Sequence, residues 1–137
     1  MIMKKRFKIL AVDDDAVNLK LIKSRLQAEY EIITALNGYD AISLVKAENP
    51  DLILLDVMMP DMDGFEVCNL LKSDVTFGTI PIIFLTALDS TAGETHGLSA
   101  GGIDYLTKPL NFDLLKLRVH NHLDLKAKSD LVIEQRN

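Results

Sequence analysis

Short apolar runs alternate with amphipathic stretches along most of the chain. Runs of apolar residues predict five strands, at 7–12, 30–35, 52–55, 81–85 and 104–107. Helical spacing between the runs predicts helices at 17–29, through 41–45, at 65–72, at 90–100 and from about 112 onward. Strands that are apolar at consecutive positions are typical of sheets covered on both faces. The pattern therefore predicts an α/β fold with a doubly wound, five-stranded parallel sheet and helices on both faces.

Two helices carry features that specify their position. The first predicted helix has its apolar residues at Val17, Leu21, Ile22 and Leu26. Asn111 directly precedes the last predicted helix, where an amide side chain can accept hydrogen bonds from the free N–H groups of the first turn. The spacing predicts a helix over 17–29, and the cap predicts that the last helix begins near Phe112.

Length, composition and net charge exclude several classes of protein. The chain has 137 residues, of which 48% are hydrophobic and 26% charged, so it can form one domain with its own core. A net charge of −5 argues against direct binding of nucleic acid, because an acidic surface repels phosphate. The single cysteine, Cys68, excludes an internal disulfide and cysteine-rich zinc sites. Since no apolar stretch is long enough to span a membrane, we expect a cytoplasmic protein without membrane contact.

Polar side chains follow the predicted strands at the points where these end. They are Asp13, Asp14 and Asp15 after the first strand, Asp56 after the third, Thr86 after the fourth and Lys108 after the fifth. Because the carboxyl ends of parallel strands meet at one edge of a sheet, we expect these side chains to lie close together.

The residue types at this edge point to phosphoryl transfer. Neighbouring carboxylates repel each other and call for a cation, and an all-oxygen set without His or Cys suits Mg²⁺. An aspartate can accept a phosphoryl group as an acyl phosphate. A lysine and a hydroxyl group can then hold the phosphoryl oxygens. Together these groups make a plausible site for phosphoryl transfer.

Four motifs in this order resemble the receiver domain of two-component response regulators, over about residues 7–125. The motifs are Ile9-Leu-Ala-Val-Asp-Asp-Asp15, Leu52-Ile-Leu-Leu-Asp-Val-Met-Met-Pro-Asp-Met-Asp-Gly64, Phe84-Leu-Thr-Ala87 and Tyr105-Leu-Thr-Lys-Pro109. The resemblance implies a flavodoxin-like fold with strand order 2-1-3-4-5. It also implies a signalling switch that catalyses only its own phosphorylation and dephosphorylation, rather than an enzyme.

The resemblance assigns the acceptor and the metal ligands. It implies that Asp56 accepts a phosphoryl group from a sensor histidine kinase or a phosphotransfer protein. It further implies that Mg²⁺ is held by Asp14 directly, by Asp13 through water, by Asp56 and by the backbone carbonyl of Met58. Asp15 lies outside this set, and its alternatives are a contribution to the metal site or an ordinary loop position.

The resemblance also implies how phosphorylation is transmitted. Thr86 and Lys108 would contact the phosphoryl group, Tyr105 would be the aromatic switch, and Pro109 would follow a cis peptide bond. The fourth predicted helix, the fifth strand and the last helix would form the surface that controls dimerisation or an output partner. A phosphorylation-dependent homodimer is therefore expected.

Other functions are compatible with parts of the sequence. A small Mg²⁺-dependent aspartyl-phosphate phosphatase and an interaction module independent of phosphorylation are the alternatives. The segment Asp61-Met-Asp-Gly64 lacks the ligand spacing of an EF-hand and favours a structural turn before a helix. His120 and His122 are two apart on a predicted helix, which favours histidines on the surface or facing a partner over a metal site.

The end of the chain extends the helical pattern beyond the resemblance. The last predicted helix carries apolar residues at every fourth position, namely Leu115, Val119, Leu123, Ala127 and Leu131. We therefore divide the chain into a receiver domain at 1–125 and a helical extension at 126–137 that leads to an output module absent from this chain. The alternative for the extension is a frayed polar terminus.

Overall fold

Five parallel strands form one sheet. The computed structural model describes residues 6–87 and 101–136, with side chains as far as 128. The strands are β1 (Lys8–Val12), β2 (Glu31–Ala35), β3 (Leu52–Asp56), β4 (Ile82–Thr86) and β5 (Asp104–Thr107). Their order is β2-β1-β3-β4-β5, and every neighbouring pair is parallel. The predicted sheet and strand order are confirmed.

Four helices connect or follow these strands within the described residues. They are α1 (Ala16–Leu26), α2 (Gly38–Glu48), α3 (Gly64–Lys72) and the C-terminal helix (Phe112–Arg136). The side chains of Asp15, Asn37 and Asp63 accept backbone hydrogen bonds at the starts of α1, α2 and α3, and Asn111 accepts one from Leu114. These caps satisfy N–H groups that the helix itself leaves free. The helix predicted at 90–100 lies outside the described residues.

The alternating side chains of the strands build two apolar layers, one on each face of the sheet. The first layer joins strand residues to α1 and the C-terminal helix through Leu19, Ile22, Leu26, Leu115, Val119 and Leu123. The second joins strand residues to α2 and α3 through Ala41, Val45, Val67, Cys68 and Leu71. The three central strands are thus buried on both faces, which explains why their sequences are apolar at consecutive positions.

The buried side of α1 differs in part from the apolar positions seen in the sequence. Ile22 and Leu26 are buried, together with Leu19. Val17 and Leu21 are 63% and 42% exposed. Positions 19, 22 and 26 are three and four apart, so they share one face of the helix and pack on the sheet. Val17 and Leu21 therefore present an apolar edge to solvent.

The first three positions of the apolar ladder predicted for the C-terminal helix are buried, and the last, Leu131, lies beyond the described side chains. Leu115, Val119 and Leu123 are fully buried or nearly so, whereas Ala127 is exposed. The helix nevertheless runs without interruption to Arg136. Within the described residues, no helix combines the length and the apolar character needed to cross a membrane.

Gly64 fixes the first turn of α3 against the end of β3. A Cβ atom at this position would overlap the carbonyl oxygen of Asp56 and lie 2.9 Å from Cα of Val57. Both neighbours are backbone atoms, which cannot move without displacing the strand end. Only glycine allows this close approach.

We predict that Gly64→Ala lowers the free energy of unfolding by about 2–4 kcal/mol, because either the strand end or the helix must shift. Urea unfolding followed by circular dichroism measures the change. Asn69→Ala, at an exposed position of the same helix, is the control and should cost less than about 0.5 kcal/mol. Equal stability of Gly64→Ala and the wild type would contradict the steric argument.

Candidate functional site

The polar side chains predicted to converge do so at the carboxyl edge of the sheet. Asp13 directly follows β1, and Asp56 is the last residue of β3. Carboxylate oxygens of Asp13, Asp14 and Asp56 all lie within 4.8 Å of one another. Asp13 and Asp56 are 0% and 2% exposed, whereas Asp14 faces solvent. The structure therefore joins two buried acids and one accessible acid in a single cluster, here called the acidic pocket.

Lys108 brings a positive charge into the acidic pocket. Its Nζ atom lies 2.8 Å from Oδ2 of Asp13 and 3.0 Å from Oδ1 of Asp56. The backbone of the same residue is fixed by a 2.8 Å hydrogen bond from its N–H to the carbonyl oxygen of Thr86. The ends of β4 and β5 thus hold the lysine where it bridges acids from β1 and β3.

Asp13 uses both of its carboxylate oxygens in contacts with the protein. Oδ1 accepts a 2.9 Å hydrogen bond from the backbone N–H of Asp15. Oδ2 accepts hydrogen bonds from Lys108 and, at 3.3 Å, from Nδ2 of Asn18. The Asp15 side chain caps α1 by accepting from the N–H of Val17. Asp15 therefore has a role as a helix cap that neither of its two alternatives included.

Burial and like charges make the ionised form of Asp56 costly. Loss of hydration, followed by the nearby charge of Asp13, raises the pKa of Asp56 from 3.8 to about 6. The hydrogen bond and charge of Lys108 act in the opposite direction and offset part of this effect. Asp56 is therefore a carboxylate whose negative charge the pocket stabilises poorly on its own.

Lys108 is held in its charged form. Burial alone would lower the pKa of Lys108, but the hydrogen bonds to Asp13 and Asp56 outweigh burial and raise it above 10.5. A permanently charged ammonium group can neutralise one of the three carboxylates. The remaining negative charge is suited to a divalent cation.

The donors of the acidic pocket fit Mg²⁺. They are carboxylate oxygens from Asp13, Asp14 and Asp56, and neither His nor Cys belongs to this cluster among the described residues. Exposed Asp14 is reachable from solvent, which suits an ion that keeps several waters. Met58 follows β3 closely, and its side chain is 60% exposed. Its backbone carbonyl as a further ligand stays a prediction.

The remaining predicted residues lie near the same sheet edge. Thr86 is fully buried at the end of β4 and pairs in register with Thr107 of β5. Tyr105 lies on β5, is half-buried and packs against the layer formed with α2 and α3. The Lys108–Pro109 peptide bond is cis, as predicted.

The segment 61–64 forms the turn predicted from its sequence. Asp61 adopts a left-handed conformation with φ of 69°, and Oδ1 of Asp63 accepts a 2.9 Å hydrogen bond from the N–H of Glu66. Asp61 and Asp63 do not belong to the acidic pocket, so their role here is to start α3.

One cluster of charged residues was missed at the sequence level. Asp104 at the start of β5 lies 2.6 Å from Nη1 of Arg118 and 2.9 Å from Nε2 of His122, both on the C-terminal helix. Burial raises the pKa of Asp104, but these hydrogen bonds and the N–H of Tyr105 outweigh it and lower the pKa below 3.8. The spacing of Arg118 and His122, four residues apart, was a signal that both share one helix face. His122 therefore has a defined partner in Asp104.

The raised pKa of Asp56 gives a stability prediction. Between about pH 4 and 6 the folded protein binds a proton at Asp56 that the unfolded chain releases, so this group costs stability increasingly as pH rises. In the presence of a chelator, we predict that Asp56→Asn raises the free energy of unfolding at pH 7.5 by about 1–3 kcal/mol. The gain should shrink toward pH 4, and urea unfolding at several pH values measures it.

The matched control is Asp61→Asn, which removes an exposed acid at a position where asparagine also tolerates the left-handed backbone. Its stability should stay within about 0.5 kcal/mol of the wild type at every pH. A destabilised Asp56→Asn at neutral pH would contradict the account of the pocket.

The sequence of this chain is similar to those of known receiver domains and response regulators. Residues 9–120 match the family described as the response regulator receiver domain. The chain is 46% identical over 124 residues to response regulator PleD of Caulobacter vibrioides, which covers 90% of this chain and 27% of PleD. It is 39% identical over 127 residues to a probable cyclic di-GMP phosphodiesterase of Vibrio cholerae, covering 93% of this chain and 29% of that protein. The chain thus spans between a quarter and a third of the length of these two relatives.

A solved structure shows the same fold. The signal receiver domain of a LuxO repressor protein from Vibrio parahaemolyticus superposes with a TM-score of 0.87 at 32% identity, covering 93% of this chain and 98% of that one. The match to the family extends over most of the chain and includes β1 from its second residue, the other four strands and the whole acidic pocket. The chain belongs to the family of response regulator receiver domains.

Proposed function

We propose that this protein is a phosphorylation-controlled switch in which Asp56 accepts a phosphoryl group. The observation that carries the proposal is the position of Asp56, which is buried at a strand end, 3.0 Å from the ammonium group of Lys108 and within 4.8 Å of the carboxylates of Asp13 and Asp14. A carboxylate that is poorly stabilised as an anion and close to a permanent positive charge is suited to nucleophilic attack.

The phosphodonor in this proposal is a phosphohistidine of a sensor kinase or a phosphotransfer protein. A carboxylate oxygen of Asp56 forms the new bond to phosphorus while the bond from phosphorus to the histidine nitrogen breaks. The imidazole leaves with the electron pair of that bond and carries its proton on the other nitrogen. Lys108, already 3.0 Å from Asp56, supplies positive charge to the transferred oxygens. We assign the hydroxyl of Thr86 to the same task.

Mg²⁺ is the metal that we assign to the acidic pocket. Asp13, Asp14, Asp56 and the carbonyl of Met58 would hold it, and when bound it would neutralise the charge of the phosphoryl oxygens. The support is the set of oxygen donors together with an excess of negative charge that Lys108 only partly offsets.

Phosphorylation changes both charge and hydrogen bonding at the end of β3. Phosphorylation replaces the single negative charge of the ionised Asp56 carboxylate with a phosphate group that carries between one and two negative charges and several acceptor oxygens. In the proposal, these oxygens attract Thr86 and Lys108, and Tyr105 on the neighbouring strand responds to the movement of Thr86. The readout surface then includes β5, the C-terminal helix and residues 90–100, the last of which lie outside the described residues. We propose that this surface controls homodimerisation or an output partner.

We further propose that residues 126–137 link a receiver domain at 1–125 to an output module. The support is that the C-terminal helix continues to Arg136, whereas Leu123 is the last buried apolar residue among its side chains described as far as 128. Relatives such as PleD are several times longer than the matched region. Turnover of an external substrate is not part of this proposal, and a cytoplasmic location stays a prediction.

We predict that a small acyl phosphate such as acetyl phosphate, together with Mg²⁺, adds one phosphoryl group to the wild-type protein and none to Asp56→Asn. Intact-mass spectrometry measures the change, and a chelator should abolish it because the acidic pocket then lacks its cation. Asp61→Asn serves as the control for loss of an acid and should be labelled as the wild type is. Equal labelling of wild type and Asp56→Asn would contradict the assignment of the acceptor.

A second experiment separates the switch from a phosphatase. A phosphatase would release phosphate repeatedly from an external phosphomonoester such as p-nitrophenyl phosphate in the presence of Mg²⁺. We expect no turnover above that of Asp56→Asn. Sustained release by the wild type alone would favour the enzyme.

A further inference from the structure

Asn18 contacts the acidic pocket from the first turns of α1. Its Nδ2 atom lies 3.3 Å from Oδ2 of Asp13, the same oxygen that accepts a hydrogen bond from Lys108. Asn18 is half-buried, and it lies on the helix that Asp15 caps. Helix α1 is packed on the sheet through Leu19 and Ile22, so the position of the amide is set by the core.

Three donors orient the carboxylate of Asp13. The N–H of Asp15 holds Oδ1, while Lys108 and Asn18 share Oδ2. Because Asp13 is fully buried, these contacts determine where its remaining lone pairs point. A carboxylate that acts on a metal through water depends on this orientation.

One of the three hydrogen-bond donors to Asp13 also contacts a second acid. Lys108 is shared with Asp56, from which its Nζ atom is 3.0 Å. A phosphoryl group on Asp56 would add acceptor oxygens that compete for the same ammonium group. The amide of Asn18 and the N–H of Asp15 would then be the donors that stay with Asp13. Asn18 is also neutral, so it orients the acid without opposing a nearby cation.

We propose that Asn18 is a positioning residue that keeps Asp13 oriented toward Mg²⁺ while Lys108 serves Asp56. This inference rests on the proposed function, because it concerns the same pocket. It assigns to α1 a part in cation binding that acts through Asp13, beyond its contribution to the core.

The test measures Mg²⁺ affinity by isothermal titration calorimetry in Asn18→Ala and Asn18→Leu. Leucine has the same number of side-chain heavy atoms and the same branch point as asparagine but no donor, so the two variants together separate loss of the hydrogen bond from loss of side-chain volume. We expect both variants to bind Mg²⁺ about 10-fold more weakly. Loss of a hydrogen-bond partner of a metal ligand typically weakens metal binding by about 10- to 100-fold, and we expect the lower end because the bond from Asn18 to Asp13 is long. Thermal stability in chelator should change little, since alanine and leucine are better helix formers than asparagine.

A second readout separates positioning from a role in the chemical step. The Mg²⁺ concentration that gives half the maximal rate of phosphorylation by acetyl phosphate should rise by the same factor. The rate at saturating Mg²⁺ should stay within about twofold of the wild type, because Asn18 does not contact Asp56 in the proposed mechanism. A lower saturating rate with unchanged affinity would overturn the inference.

Leu21→Ala is the control, since Leu21 lies one turn further along α1 and is partly exposed. It should bind Mg²⁺ as the wild type does. Wild-type affinity in both Asn18 variants, or in Asn18→Leu alone, would overturn the inference while leaving the proposed function intact. Absence of Mg²⁺ binding by the wild type would instead overturn the proposed function.

Discussion

The ammonium group of Lys108 lies between two buried carboxylates, and the arrangement of the sheet edge depends on this contact. Two acids about 4 Å apart near a protein surface repel by about 4 kcal/mol, and burial adds the loss of hydration. Lys108 contacts both Asp13 and Asp56 and offsets part of this cost. With Asp14 included, three carboxylates still face a single ammonium group. The pocket therefore favours either a proton on Asp56 or a bound cation.

The parallel sheet is what makes this contact feasible. The two acids come from the ends of adjacent strands β1 and β3, and the lysine reaches them from the end of β5, across the end of β4. Each strand is held by apolar layers on both faces, so the polar ends cannot separate without breaking the register of the core. The absence of a Cβ at Gly64 lets α3 begin directly against the carbonyl of Asp56. Packing thus supplies the free energy that keeps like charges together.

The sequence predicted the class of fold and the set of acids because these depend on strong, local signals, whereas the strand order was predicted from the resemblance to receiver domains. Apolar runs mark strands buried on both faces, and helix caps such as Asn111 mark where a helix begins. The contacts of Asn18 with Asp13 and of His122 with Asp104 were not predicted. These contacts depend on which face of a helix is turned toward the sheet. The apolar spacing of a helix is compatible with more than one such rotation. The exposure of Val17 shows this directly, because it lies on the solvent side of a helix whose apolar spacing includes it.

The same packing explains why a change at Asp56 would reach the C-terminal helix in the proposed function. Lys108 is separated from the start of that helix by only a short loop, and its backbone is bonded to Thr86 of β4. Further along the helix, Arg118 and His122 both hold Asp104 at the start of β5. The strand and the helix are therefore joined at both ends of β5. In the proposed function, a shift of Lys108 toward new acceptor oxygens would act on both the strand and the helix, and the helix, which continues to Arg136, would carry the change beyond Leu123.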